Sequence, residues 1–261
     1  MFDFDPGHLL TTLAWSPATQ LQAEVELLVA SSDGTVSLCR WAGNSRKRGW
    51  STSIKHLAKH QGGAVSLHVS PKREIARAVS TGADNSLNLY DTQRLWQVSE
   101  KRWLRSAGKF VSFADKEIVL YELDGTLRMY DAFSARPLRV SLYTKRFPLR
   151  VACTDNRLAT VTLNGALLVF DAPFWHPPVL ACEAGHNEEG KFTSCLCMAI
   201  SPTKRWVALG DAGGYYIQHV HTGEIVQSFS TPHPVLHLSW HSKMTMLAIA
   251  NGTKVQLTYL K

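Results

Sequence analysis

The stretch from Glu117 to Asp131 reads EIVLYELDGTLRMYD, and it decides the fold. Its first half alternates β-forming residues as in a strand, and Thr126–Tyr130 is a second β-rich run. Asp124-Gly125 lies between the two runs and is a two-residue hairpin signal, because a tight primed turn needs positive φ and these residues tolerate it. The stretch therefore predicts one β-hairpin that ends in an aromatic residue followed by aspartate.

The same hairpin recurs along the whole chain. The turn position of Gly125 has counterparts at Gly34, Asn85, Gly165, Gly214 and Gly252. Three copies end in an aromatic residue followed by Asp91, Asp131 or Asp171, and three upstream strands end in Ser-Pro at 16–17, 70–71 and 201–202. Each copy thus contains about four short strands, and a period of roughly 40–45 residues is typical of a β-propeller blade.

The repeats predict an all-β fold and a single domain over residues 1–261. We expect a β-propeller of six four-stranded blades, with hairpin turns near positions 34, 85, 125, 165, 214 and 252. The last copy stops at its third strand, so we expect Met1–Asp5 to supply the missing outer strand and close the ring, which protects the edges. Two alternatives stay open: an open propeller completed by another protein, and a seventh blade missing upstream.

These motifs resemble those of the WD-repeat family over essentially the whole chain, with Tyr-Asp or Phe-Asp where Trp-Asp is typical. The resemblance implies a hydrogen-bonded set in each blade: His before the inner strand, Ser or Thr on the second, Asp at the turn and Trp on the third. The matching residues are His8, Ser31 and Asp33 in blade one, His60, Ser80, Asp84 and Tyr90 in blade two, and Asp124 and Tyr130 in blade three. Such residues satisfy buried polar groups and are structural.

The positive charge of the chain is concentrated in one part of the sequence. The net charge is +7, but residues 40–157 hold 22 Lys/Arg and 10 Asp/Glu, a net of +12 against −5 elsewhere. Cations neutralise phosphates, and an adjacent aromatic ring can stack on bases. The candidate contacts for RNA or another acidic partner are Arg46, Lys47, Arg48, Lys101, Arg102, Trp103 and Arg105. The competing interpretation of each cluster is a solvated surface.

No motif indicates an enzyme. Residues 185–192, GHNEEGKF, come within one residue of a phosphate-binding loop, but Phe192 replaces the hydroxyl that would bind Mg²⁺, and a β-run follows where a helix is needed. Cys195-x-Cys197 lacks a second ligand pair, and in a strand both side chains would lie on one face. His219, His221, His237 and His241 are interpreted as core or surface residues. We therefore predict no catalytic residue, cofactor, metal or small-molecule substrate.

The chain also lacks a membrane or secretion signal in its sequence. No apolar run approaches the roughly 18 residues of a membrane span, and the start of the sequence is unlike a signal peptide. Five cysteines in mostly apolar runs fit a reducing compartment. We expect an intracellular protein without a membrane partner.

Blades one to three resemble one branch of the family more closely. DGTVSLCRW at 33–41, His60-Gln61-Gly62 and the run Ala78-x-Ser80-x-Gly82-x-Asp84 are similar to the p21-activated-kinase-interacting WD-repeat proteins, which are nucleolar factors of large ribosomal subunit assembly. The resemblance implies a nuclear or nucleolar scaffold that contacts pre-ribosomal proteins and rRNA. The alternative is a generic protein-interaction platform in signalling, trafficking or nuclear-pore complexes, which would allow a cytoplasmic location.

Overall fold

The computed structural model describes residues 9–16, 24–44, 49–72, 74–94, 96–141, 148–154, 156–173, 175, 177–184, 194–241 and 244–260. Within these ranges the chain is all-β, which confirms the predicted fold class, and no helix there could span a membrane. The strands pair antiparallel with their neighbours in the chain and form six sheets, called sheets I to VI. Met1–Asp5, His8 and Arg46-Lys47-Arg48 lie outside the described residues, so the expectations about them stay predictions.

The first compact unit, Met1–Leu142, contains sheets I to III. Sheet I comprises β1 (Leu10–Trp15), β2 (Glu24–Ser31), β3 (Thr35–Asn44) and β4 (Gly49–Lys59). Sheet II comprises β5 (Ala64–Val69), β6 (Arg77–Gly82), β7 (Ser86–Asp91) and β8 (Gln97–Trp103). Sheet III comprises β9 (Gly108–Ala114), β10 (Glu117–Glu122), β11 (Leu127–Asp131) and β12 (Pro137–Ser141).

The second compact unit, Tyr143–Lys261, contains sheets IV to VI. Sheet IV comprises β13 (Pro148–Thr154), β14 (Arg157–Thr162), β15 (Ala166–Asp171) and β16 (Leu180–Glu183). Sheet V comprises β17 (Cys197–Ile200), β18 (Trp206–Gly210), β19 (Gly214–His219) and β20 (Ile225–Ser230). Sheet VI has three strands in the described residues: β21 (Val235–Trp240), β22 (Met246–Asn251) and β23 (Lys254–Tyr259).

Within each unit, consecutive sheets pack through apolar clusters. Leu28 and Leu38 of sheet I cluster with Leu67 of sheet II, and Leu89 of sheet II clusters with Phe113 of sheet III. In the second unit, one cluster joins sheets IV and V, and another joins sheets V and VI. These hydrophobic clusters remove large apolar areas from water, which is the main favourable contribution to folding.

Burial changes systematically across each sheet. Every residue of β7 and nearly every residue of β10 is buried, because these middle strands are covered on both faces. The outer strands β8 and β20 are mostly exposed. Side chains available to a partner therefore concentrate on outer strands and loops, as expected for a layered β-fold.

The hairpin turn at Asp124-Gly125 differs in type from the sequence prediction. Gly125 has φ +86°, but it is the only residue of its loop with a positive φ, and Glu122 N donates to Thr126 O at 2.9 Å. The connection is therefore a three-residue loop ending in a left-handed glycine, not a two-residue primed turn. Asp124 explains the difference, because its carboxylate accepts the Thr126 N–H at 2.9 Å and holds a wider turn. In sheet V the bend lies at 212–213, and Gly214 already begins β19.

Candidate nucleic-acid interface

An exposed basic and aromatic pair lies on β8, the outer strand of sheet II. In this strand Trp103 faces Ser86 and Lys101 faces Asn88, so the two side chains are two residues apart and lie on the same face. Lys101 Nζ lies 4.7 Å from the centroid of the Trp103 ring, and the ring is 72% exposed. A cation over an exposed indole combines a charge for phosphate with a flat surface for a base.

Arg102 and Arg105, the other described cations near this pair, interact with other parts of the fold. Arg102 forms an ion pair with Glu100 at 3.6 Å, and its Nη2 donates to the carbonyl of Ser134 at 3.4 Å. Arg105 is exposed, and its charge is one of those that partly oppose the rise in the pKa of Glu122 caused by burial. Of the described candidates, only Lys101 and Trp103 are therefore brought together as one outward-facing site.

Part of the positive charge counted from the sequence is neutralised within the fold. The ion pairs that involve cations of residues 40–157 include Lys59–Asp33, Lys72–Asp115, Arg77–Asp91, Arg128–Glu122, Arg139–Glu117 and Arg157–Asp171. A paired guanidinium is a weaker phosphate ligand than a solvated one, because binding phosphate would break the existing pair. The net charge of this part of the sequence therefore overstates the cation density that a partner would meet.

A buried hydrogen-bond network in sheet II joins all four residues that the family resemblance assigns to blade two. His60 Nε2 lies 2.8 Å from Ser80 Oγ, and Ser80 Oγ lies 2.8 Å from Tyr90 OH. His60 Nδ1 lies 3.1 Å from Asp84 Oδ1. His60 and Ser80 are fully buried. The residues share one chain of hydrogen bonds between the loop before β5, the second strand and the third strand.

Burial sets the protonation states of this network. Burial lowers the pKa of His60, and the contact with Asp84 only partly opposes that effect. Burial by itself would raise the pKa of Asp84, but hydrogen bonds from Ser86, the Gln61 N–H and His60 lower it overall. Burial also raises the pKa of Tyr90 to about 12. A neutral imidazole therefore donates from Nδ1 to an ionised carboxylate, and its Nε2 accepts from Ser80. The network therefore holds the imidazole in place and connects the turn at Asp84 to the second and third strands.

The corresponding sets in sheets I and III are less complete. In sheet I, Ser31 Oγ donates to Asp33, and Thr35 donates to the same carboxylate from its N–H at 3.0 Å and its hydroxyl at 2.6 Å. These hydrogen bonds hold the pKa of Asp33 well below its usual value. Cys39, which stands where the family has Trp, is fully buried. His8, the remaining residue assigned to this set, lies outside the described part of the chain.

Sheet III contains an ion pair that the sequence analysis missed. Glu122 stands three residues before the turn glycine, as Ser31 does in sheet I. It is fully buried, and Arg128 Nε donates to its Oε1 at 2.7 Å. Asp124 and Tyr130 occupy their assigned positions, with Tyr130 buried and its pKa raised by burial to about 12. The two-residue turn expected from the sequence would have put Glu122 and Arg128 on opposite faces, and only the three-residue loop brings them to the same face.

No metal or thiol site is visible in the described ranges. No group of three His, Cys, Asp or Glu side chains there could hold a metal ion. Cys195 packs in the cluster between sheets IV and V, whereas Cys197 packs in the cluster between sheets V and VI. The two cysteines do not share a strand, because β17 begins only at Cys197, so the expectation of one common face within a strand does not apply.

Comparison of the sequence with protein-family models and with curated proteins finds no match to either. The fold and the Lys101–Trp103 site therefore have to be interpreted from their own chemistry.

Proposed function

We propose that the chain is a non-enzymatic WD-repeat β-propeller scaffold, with sheets I to VI as its six blades. It holds protein partners and RNA together in a multi-subunit assembly, and large ribosomal subunit assembly is the process that the sequence resemblance favours. Support for the propeller comes from the repeated four-stranded sheets, their consecutive packing within each unit and the hydrogen-bonded set in sheet II.

The observation that carries the RNA part of the proposal is the Lys101–Trp103 pair. Its ring and ammonium group are exposed on an outer strand, where a single-stranded backbone can approach without disturbing the core. Phosphate contacts of this kind are largely independent of sequence and weaken steeply as salt rises, because binding releases counterions. We therefore expect weak, salt-sensitive binding of single-stranded RNA with little base preference.

The test measures binding of a single-stranded RNA oligonucleotide by fluorescence anisotropy at several salt concentrations. Lys101→Glu should weaken binding and reduce the slope of log affinity against log salt by about 1. Trp103→Ala should weaken binding by about 1–3 kcal/mol through lost stacking while leaving the salt slope nearly unchanged. The two variants thus separate the charge from the ring.

The matched control is Arg205→Glu, an equal charge reversal at an exposed position of the second unit. It should bind RNA like the wild type if the β8 site is responsible. Equal losses in Lys101→Glu and Arg205→Glu would mean that only the overall charge matters. No loss in either Lys101→Glu or Trp103→Ala would leave β8 a solvated surface, and the interaction-platform interpretation without RNA would take its place.

A further inference from the structure

One edge of β23, the outermost described strand of sheet VI, has no strand beside it among the described residues. β23 pairs with β22 along one edge, and no other described strand pairs with the opposite edge. The other five sheets each have a fourth strand at this place. An exposed edge presents unpaired N–H and C=O groups and is a template for another strand.

The register of the β22–β23 hairpin determines which backbone groups face outward. Asn251 and Lys254 close a two-residue connection, and Leu260 N donates to Thr245 O at 2.9 Å. In an antiparallel pair the hydrogen-bonded positions alternate, so Lys254, Gln256 and Thr258 bond to β22. Val255, Leu257 and Tyr259 consequently direct their N–H and C=O groups away from the sheet.

The same three residues also carry exposed apolar side chains. Val255 is 72% exposed, Leu257 57% and Tyr259 62%, and their alternate spacing puts them on one face of the strand. The segment reads Val-Gln-Leu-Thr-Tyr and is apolar at both ends and at its centre. Its polarity and the direction of its outward N–H and C=O groups are therefore both symmetric about Leu257.

We propose that this edge binds a second copy of the chain, with the two β23 strands antiparallel about a twofold axis through Leu257. The axis places Leu257 opposite Leu257 of the second copy, and Val255 opposite Tyr259 of the second copy at both ends. In this register the residues whose N–H and C=O groups point away from sheet VI lie opposite one another. Each such pair exchanges two backbone hydrogen bonds. The contact is isologous, so it closes as a dimer with one continuous sheet across both copies.

Side-chain complementarity favours this register. Val255 facing Tyr259 is a β-branched residue against an aromatic ring, a combination that stabilises cross-strand pairs. On the other face Gln256 meets Thr258, and Lys254 meets Leu260, so no like charges are opposed. A twofold axis through Gln256 would pair Val255 with Leu257 and leave Tyr259 beyond the facing strand. The competing occupant of the edge is Met1–Asp5, and the experiment separates the two.

The first experiment is sedimentation velocity of the full chain over a range of concentrations. The wild type should approach twice its chain mass of 29.0 kDa. Leu257→Lys should be monomeric, because it opposes two ammonium groups on the axis. The control Gln256→Lys places the same charge on the same strand, but on the other face and opposite Thr258, so it should still dimerise. A monomeric wild type would overturn the proposal. If deletion of residues 1–6 then produced a dimer, Met1–Asp5 would be the occupant.

A crosslinking experiment tests the register without relying on a destabilising change. Facing residues of a hydrogen-bonded pair have Cα atoms about 5.5 Å apart, which a disulfide spans. Leu257→Cys should therefore oxidise to a covalent dimer, whereas Gln256→Cys should not, because it faces Thr258 of the second copy. The wild type, with its five native cysteines, gives the background under the same oxidation. Equal crosslinking at positions 256 and 257 would overturn the twofold register. RNA binding by Leu257→Lys should match the wild type, so this proposal and the proposed function can fail independently.

Discussion

Arg128 Nε donates a hydrogen bond of 2.7 Å to Oε1 of Glu122, and the carboxylate that accepts it is fully buried. The pair bridges the two strands of the hairpin that decides the fold. Burial raises the pKa of Glu122, and the positive charge of Arg128 opposes that effect. Such a pair contributes little net stability compared with apolar residues, but removing one partner leaves an uncompensated charge in the core.

Arg128→Met should lower the free energy of unfolding at neutral pH by about 3–5 kcal/mol, because Glu122 stays buried without its counterion. Replacing both residues by Met should be less destabilising than the single change. A carboxyl with a raised folded pKa binds more protons in the folded state, so stability falls as pH rises above the ordinary value of 4.5. The loss in Arg128→Met should therefore shrink on acidification.

Urea unfolding at neutral and acidic pH measures both effects. Lys72→Met is the matched control, since it breaks an exposed ion pair with Asp115 and should change stability by less than about 1 kcal/mol. If Arg128→Met and Lys72→Met lowered the free energy of unfolding by the same small amount, Glu122 would not be a buried charge that depends on Arg128.

The His60 network should make stability depend on pH. Burial lowers the folded pKa of His60 below the 6.5 of an ordinary histidine, so the unfolded chain takes up a proton first as pH falls. The free energy of unfolding should therefore decline on acidification from about pH 6.5, by at most about 1.4 kcal/mol per pH unit. His60→Gln should remove this decline while lowering stability at neutral pH through lost hydrogen bonds to Ser80 and Asp84.

Denaturant unfolding at a series of pH values checks the His60 prediction. His237→Gln is the control, because it removes an exposed histidine that has no part in the network. A decline of the same size in His60→Gln and in the wild type would assign the pH dependence to other groups.

Two turn glycines should differ in their tolerance of a methyl group. Gly125 has a left-handed backbone with φ +86°, so Gly125→Ala should cost about 1–3 kcal/mol. Gly34 has φ +91°, and an added Cβ would lie 1.8 Å from the carbonyl oxygen of His60. Gly34→Ala should therefore be the more damaging change, because it displaces the loop that positions His60. Thermal melting of the two variants checks this order, and equal melting temperatures would contradict it.

The buried cysteines should resist thiol reagents in the folded protein. Burial raises the pKa of Cys195 to about 11 and that of Cys197 to about 12, so little thiolate is present at neutral pH. Cys153 and Cys182 are partly exposed and should label first. Maleimide labelling read by peptide mass spectrometry should show Cys195 and Cys197 reacting only on denaturation. Rapid native labelling of Cys197 would argue against its burial between sheets V and VI.

Local sequence patterns were sufficient to predict much of the architecture. The recurring hairpin signal, the Ser-Pro strand ends and the aromatic-Asp endings predicted the all-β class, the division into repeated sheets and the three-stranded last copy. The four residues assigned in sheet II also lie together as the family resemblance implied. These features follow from the sequence because alternation, turn residues and short-range spacing act within one hairpin or one sheet.

Tertiary structure decided the features that depend on distant neighbours. The sequence placed Cys195 and Cys197 two residues apart, but in the fold Cys195 packs between sheets IV and V and Cys197 packs between sheets V and VI. It grouped Arg102 with Lys101 and Trp103, whereas the folded chain directs Arg102 to Glu100 and leaves the other two facing outward. Burial, ion pairing and exposure depend on which residues come into contact in the folded chain. The number of charges along the sequence does not give those contacts.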